Sequence, residues 1–107
     1  MQKSAWLSEG CFLATEAIDD LERIGDYIAR DNPARAASFV QELIEKARLI
    51  GETPHGFPVV PRYAHLGIRR CAHNSYLIFY RVEVERVSII HILHGARDID
   101  ALLFPEA

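Results

Sequence analysis

The sequence lacks most of the features that announce a chemistry. No apolar run approaches the roughly 20 residues that span a membrane. The start, "MQKSAWLSEGCF", has one lysine and too little apolar sequence for a secretory signal, so a cytoplasmic location is expected. Only two cysteines occur, Cys11 and Cys71. Far apart and in no metal-type spacing, they are expected to be free and buried. There is no glycine-rich phosphate loop, no dinucleotide fingerprint and no metal-binding helix motif, so neither cofactor nor metal is expected. Internal repeats and low-complexity segments are also missing. What remains is 107 residues, half apolar and a quarter charged, the composition of one globular domain with a single core.

The formal net charge of -3 is spread unevenly. Residues 1–61 carry -4, residues 62–97 carry +4 and the tail carries -3. The basic stretch holds six arginines, no lysine and four of the five histidines. Arginine without lysine suits planar contacts to carboxylate or phosphate. An acidic protein partner and a nucleic acid both fit such a patch, and arginine also guards strand edges against aggregation.

Periodicity gives the elements. Residues 1–10 read as a flexible extension and 11–107 as one domain, opening with a possible short strand at Cys11–Ala14. Thr15 is placed to cap a helix, with Glu16, Asp19 and Asp20 suiting its positive end. Ile18, Leu21, Ile24 and Ile28 recur at helical spacing, predicting a helix from about Glu16 to Arg30. Asn32 and Pro33 break and restart the chain. Ala36, Phe39, Val40, Leu43, Ile44, Ala47 and Ile50 then line one side of a second helix, with Gly51 as its stop. So short a joint folds the helices into an antiparallel hairpin. A proline-rich loop, Gly51 to Pro61, precedes three predicted strands near Leu66–His73, Tyr76–Glu83 and Val87–His94, with a turn at Asn74-Ser75. The expected fold is α+β: an N-terminal antiparallel helix hairpin packed on a small antiparallel sheet of three to four strands.

The strands alternate in an informative way. Tyr76, Ile78, Tyr80 and Val82 share one face, and Leu77, Phe79 and Arg81 the other. In the last strand, Val87, Ile89, His91 and Leu93 alternate with Ser88, Ile90, Ile92 and His94. Both faces are largely apolar, which a sheet with one wet face should not be. The hairpin covers one face. The second needs either another polypeptide or the chain's own first strand, loop or Ile99–Phe104 segment. His91 and His94 fall on opposite faces, so they are poor co-ligands. One catalytic option is RNA cleavage, which needs a base, an acid and a cation at the phosphate. Arg69, Arg81 and His94 are the candidates, while Tyr76 and Tyr80 are assigned to the core.

The segments "AIDDLERIGDYIARDNPARAASFVQELIEKARLI", "TPHGFP", "GIRRCAHNSYLIFYRVE" and "ILHGARD", in this order, resemble the ParE/RelE toxin superfamily of toxin–antitoxin modules, and most closely its ParE branch. That resemblance implies a small toxin neutralised by a cognate ParD-type antitoxin in a hetero-oligomer, with DNA gyrase as the target. The RelE branch implies a ribosome-dependent mRNA endoribonuclease instead. The acidic tail, the lack of a tyrosine after Tyr80 and the lysine-free strand region depart from that second pattern. An inert relative that only binds antitoxin is the third reading. The residues assigned to antitoxin or target binding are Arg69, Arg70, Leu77, Phe79, Arg81, His94 and Arg97.

Overall fold

A computed structural model describes residues 4–103. Strands β1 (Ala5–Ser8) and β2 (Cys11–Leu13) come first, then helices α1 (Thr15–Ala29) and α2 (Pro33–Glu52). Short 3-10 turns at Pro54–Gly56 and Pro61–Leu66 lead into β3 (Ile68–His73), β4 (Tyr76–Val82), β5 (Val87–His94) and a final helix α3 (Ile99–Leu103). The predicted α+β hairpin-on-sheet architecture is present. The sheet, however, has five strands in the order β1-β2-β5-β4-β3. It is mixed, because β2 runs parallel to β5 while the other pairs are antiparallel. Part of the expected loose extension is therefore ordered as β1, which turns into β2 at Gly10 with a φ of 80°. That left-handed backbone is one glycine adopts readily.

The helix signals are partly corrected. Asn32 caps α2 as expected, its side chain accepting from Arg35 N at 3.0 Å. Thr15 does not cap α1. The capping position is Ala14, which offers no side-chain bond, and Ala14 N donates instead to Ile89 O at 3.0 Å. Gly51 does not end α2, which runs on to Glu52. Its reason is proximity: a Cβ at Gly51 would stand 2.8 Å from Cys11 Cβ. The missing side chain lets α2 lie directly on β2.

The main core lies between the hairpin and the sheet. Leu21, Ile24, Phe39, Leu43 and Ile50 meet Leu13, Ile78, Tyr80, Ile89 and Ile92. Tyr80 is fully buried, and its hydroxyl donates to Pro54 O at 2.6 Å, so the polar end of the ring is satisfied. Cys11 and Cys71 are free and buried, as expected, and burial pushes both thiols up.

Alternation along β5 breaks at a bulge. Tyr80 faces Ile89 while Phe79 faces His91, leaving Ile90 unpaired. One inserted residue reverses the sides of everything after it. Val87 and Ile89 therefore face the helices, and so does Ile92, whereas Leu93 falls on the opposite side. Strict alternation had grouped Leu93 with Val87 and Ile89.

The second face of the sheet is roofed by the chain itself across β3, β4 and the end of β5. Ile68, Phe79 and Leu93 are buried there beneath Tyr63, with Ile99, Leu102 and Leu103 of α3 packed alongside. Asp100 fastens this roof through a hydrogen bond from Tyr63 and an ion pair with Arg62 at 2.9 Å. Phe104 lies outside the described residues. The apolar second face thus needs no second polypeptide to cover it there, because the chain's own C-terminal helix supplies that cover.

One side-chain bridge ties α2 to β3. Glu42 bonds Arg35 at 2.5 Å and His73 at 3.0 Å. Hydrogen bonds from Arg35 and then from His73 hold its carboxyl below the usual 4.5. The folded value lies below the unfolded one, so this contribution is complete above about pH 4.5 and fades as pH falls through the depressed value. Glu42→Gln is expected to make acid unfolding less steep below pH 4.5, as read by circular dichroism at stepped pH.

Candidate functional site: a groove between the first helix and the end of the sheet

β2 ends at Leu13, opposite Ile89. Beyond that point β5 has β4 on one side and, among the described residues, no strand on the other. Helix α1 packs along that side instead. An uncovered strand edge leaves N–H groups without partners, and a buried one must find an acceptor. Asp20, 3% exposed, provides it. Its Oδ2 accepts from Ile92 N at 2.9 Å and lies 2.7 Å from His91 Nδ1. Its Oδ1 accepts from Arg23 Nη2 at 3.0 Å. One carboxylate therefore joins helix, strand edge and surface.

Above this junction lies a groove of about 690 Å³. Ile24, Ile28, Phe39, Tyr76 and Ile92 give it apolar walls. Arg23, Arg35 and Arg97 stand at its margin, with His94 at the strand end. The aromatic walls are mutually braced: the Tyr76 ring lies 5.5 Å from Phe39 and 5.1 Å from His94. The Arg35 guanidinium stands 5.0 Å over Phe39. Tyr27, 65% exposed, also lines the groove. An apolar channel of this kind with a cationic rim suits an amphipathic, acidic segment of another protein.

The residues singled out from sequence are scattered. His94 and Arg97 line the groove. Arg69 lies on the helix side of the sheet, opposite Tyr80, and its Nη1 donates to Phe57 O at 2.6 Å. Arg70 is exposed on the other side, opposite Phe79. Arg81, opposite Ile68, shares that second side, and its Nε is buried with no partner. Phe79 is 1% exposed beneath the chain's own roof, which removes it from any partner surface, and Leu77 is half-buried beside it. Arg69, Arg81 and His94 do not converge, because Arg81 faces away from the other two. Burial pushes the Tyr76 and Tyr80 phenols up, which suits packing better than proton transfer.

The groove residues missed from sequence are Asp20, Arg23, Tyr27, Arg35, Phe39 and Tyr76. Most belong to the helices, whereas the charge pattern of the sequence points to basic side chains of the strands. The signal that could have found them is the shared helical face of Ile24 and Ile28, bordered by Arg23 and Tyr27.

The family model for the ParE toxin of the type II toxin–antitoxin system parDE matches residues 12–99. The chain belongs to the ParE toxin family. Among curated proteins, Toxin ParE1 of Caulobacter vibrioides is 37% identical over 92 residues, covering 85% of this chain and 94% of that protein. Among solved structures, the chromosomal ParDE toxin–antitoxin system from P. aeruginosa matches with a TM-score of 0.64 at 22% identity. That match covers 77% of this chain and 90% of the other, and it supports the fold. This is thus a ParE-type toxin of a type II toxin–antitoxin system. No helix among the described residues of this ParE-family chain is long and apolar enough to cross a membrane.

Proposed function

We propose that this ParE-type toxin works in the cytoplasm by binding and poisoning DNA gyrase, without catalysis of its own, and that a ParD-type antitoxin neutralises it by laying a segment in the α1–β5 groove. The observation that carries the binding reading is the groove, with apolar walls, an arginine margin and room for several side chains. Membership of the ParE family supports the gyrase target. The division of Arg69, Arg81 and His94 between two faces of the sheet speaks against assembled ribonuclease chemistry. His94 and Arg97 keep their assignment to partner binding, while Arg69, Arg70 and Arg81 lie outside the groove and are assigned to the target surface, where Arg70 is the exposed one.

Two assays run in parallel test the proposal. In the first, purified toxin is mixed with gyrase, supercoiled plasmid and ATP, and cleaved DNA is trapped by detergent. In the second, toxin is added to translating ribosomes and the mRNA ends are mapped. Accumulated gyrase–DNA cleavage with intact mRNA is expected. In-frame mRNA cuts without trapped gyrase would instead establish the ribonuclease reading, and neither result would point to an inert relative.

A further inference from the structure

The two outer edges of the sheet differ. β3 is covered by its own chain: Val60 N donates to Ile68 O at 2.9 Å and Arg70 N to Pro58 O at 3.1 Å. β1, at the other edge, has no strand beyond it among the described residues. Its sequence, Ala-Trp-Leu-Ser, contains neither the charge nor the proline that usually keeps open edges from pairing. Trp6 is 58% exposed, with its ring 5.1 Å from Phe12, and Val84 at the nearby β4–β5 turn is fully exposed. The Arg86 guanidinium stands 4.2 Å over Phe12. None of these residues lines the groove. β1 also precedes the residues matched by the family model, so the proposed function leaves it unexplained.

We propose that β1 pairs antiparallel with β1 of a second copy of this chain, continuing the sheet across a two-fold axis. Charge selects the direction. Glu9 and Glu85 line one hollow with Trp6 and Ser8, at the Ser8 end of the strand. Parallel pairing would set the carboxylates of the two copies side by side. Antiparallel pairing sends them to opposite ends and makes the contact isologous, the arrangement a two-fold dimer requires. Area sets the strength. Two four-residue strands with one tryptophan apiece, even with Val84 of each neighbouring turn added, fall well short of the roughly 800 Å² per partner of a stable complex. The dimer is accordingly weak, with a dissociation constant of about 1–100 μM.

The chain has a single tryptophan, so Trp6 emission reports on this edge alone. The full chain, free of antitoxin, is examined by sedimentation velocity and by fluorescence from about 1 to 100 μM. Sedimentation is expected to pass from monomer to dimer, and the emission to move to shorter wavelength in step. Ala5→Lys keeps the tryptophan and sits at an exposed position. It is expected to weaken the dimer at least about tenfold with unchanged circular dichroism, and Trp6→Lys to do the same. A monomer at every concentration overturns the proposal, and so does a dimer that both variants leave intact. Emission that shifts only when antitoxin is added also overturns it, by giving this edge to that partner.

Discussion

Asp20→Ala is expected to lower the stability of the toxin by about 3 kcal/mol, more than any conservative surface change. The carboxylate is buried and serves three donors: Ile92 N, His91 Nδ1 and Arg23 Nη2. Arg23 is 64% exposed and turns to water at little cost. Ile92 N and the largely covered His91 ring have no such recourse. An orphaned buried N–H alone costs about 1–3 kcal/mol. For a domain of this size, the loss corresponds to a fall of roughly 10–15 °C in melting temperature, measurable by calorimetry. Asp20→Asn retains an acceptor and should lose about half as much. If Asp20→Ala melted with the parent chain, Asp20 would not be fastening α1 to the strand edge. The consequence reaches function, because the same junction forms the base of the groove.

The second large effect is on partner binding. Tyr76→Ala is expected to weaken antitoxin affinity by about 2 kcal/mol or more, roughly 30-fold. Tyr76 is half-buried in the groove wall, packed between Phe39 and His94. A rigid aromatic group bordered by arginines has the character of residues that dominate interfaces. Since Tyr76 also touches the core, Tyr27→Ala supplies a second reading: Tyr27 lines the same groove at 65% exposure, so its removal should weaken binding with little change in melting temperature. Leu49→Ala, on the outer side of α2, is the control expected to leave binding unaltered. Titration calorimetry with the antitoxin distinguishes the three. Equal affinities for parent, Tyr27→Ala and Tyr76→Ala would remove the groove from the binding surface.

Local chemistry made much of this fold legible. Asn32 and Pro33 marked the hairpin joint because cap and fixed φ act within a few residues. Asn74, with a φ of 53°, marked the β3–β4 turn for a similarly local reason. The alternation of β4 correctly separated Ile78 and Tyr80 from Leu77 and Phe79. What sequence could not supply depends on distant partners. The bulge at Ile90 changes no residue type, yet it moves Leu93 to the other face. The parallel pairing of β2 with β5 joins segments some 75 positions apart, with nothing local to announce it. The roof over Phe79 comes from α3, whose apolar Ile99–Leu103 run fits docking and partner contact equally well until its packing is seen.

The candidate site followed the same division. His94 at the strand end and Arg97 just beyond it line the groove, whereas Arg69, Arg70 and Arg81, grouped with Arg97 by charge alone, do not. The groove arises where α1 crosses the uncovered end of β5, a junction that exists only once the domain has folded. The apolar excess on the sheet's second face, which the sequence leaves open to a partner or to the chain's own segments, is absorbed in large part by the C-terminal helix.

The most direct measurement is amide hydrogen exchange on the toxin, free and bound to its antitoxin. Slowed exchange on binding is expected across Ile24–Ile28 and Ile92–Arg97, the two walls of the groove, with little change in α3. Protection confined to residues 61–66 and α3, with both groove walls exchanging as in the free chain, would contradict the assignment of the antitoxin to the groove.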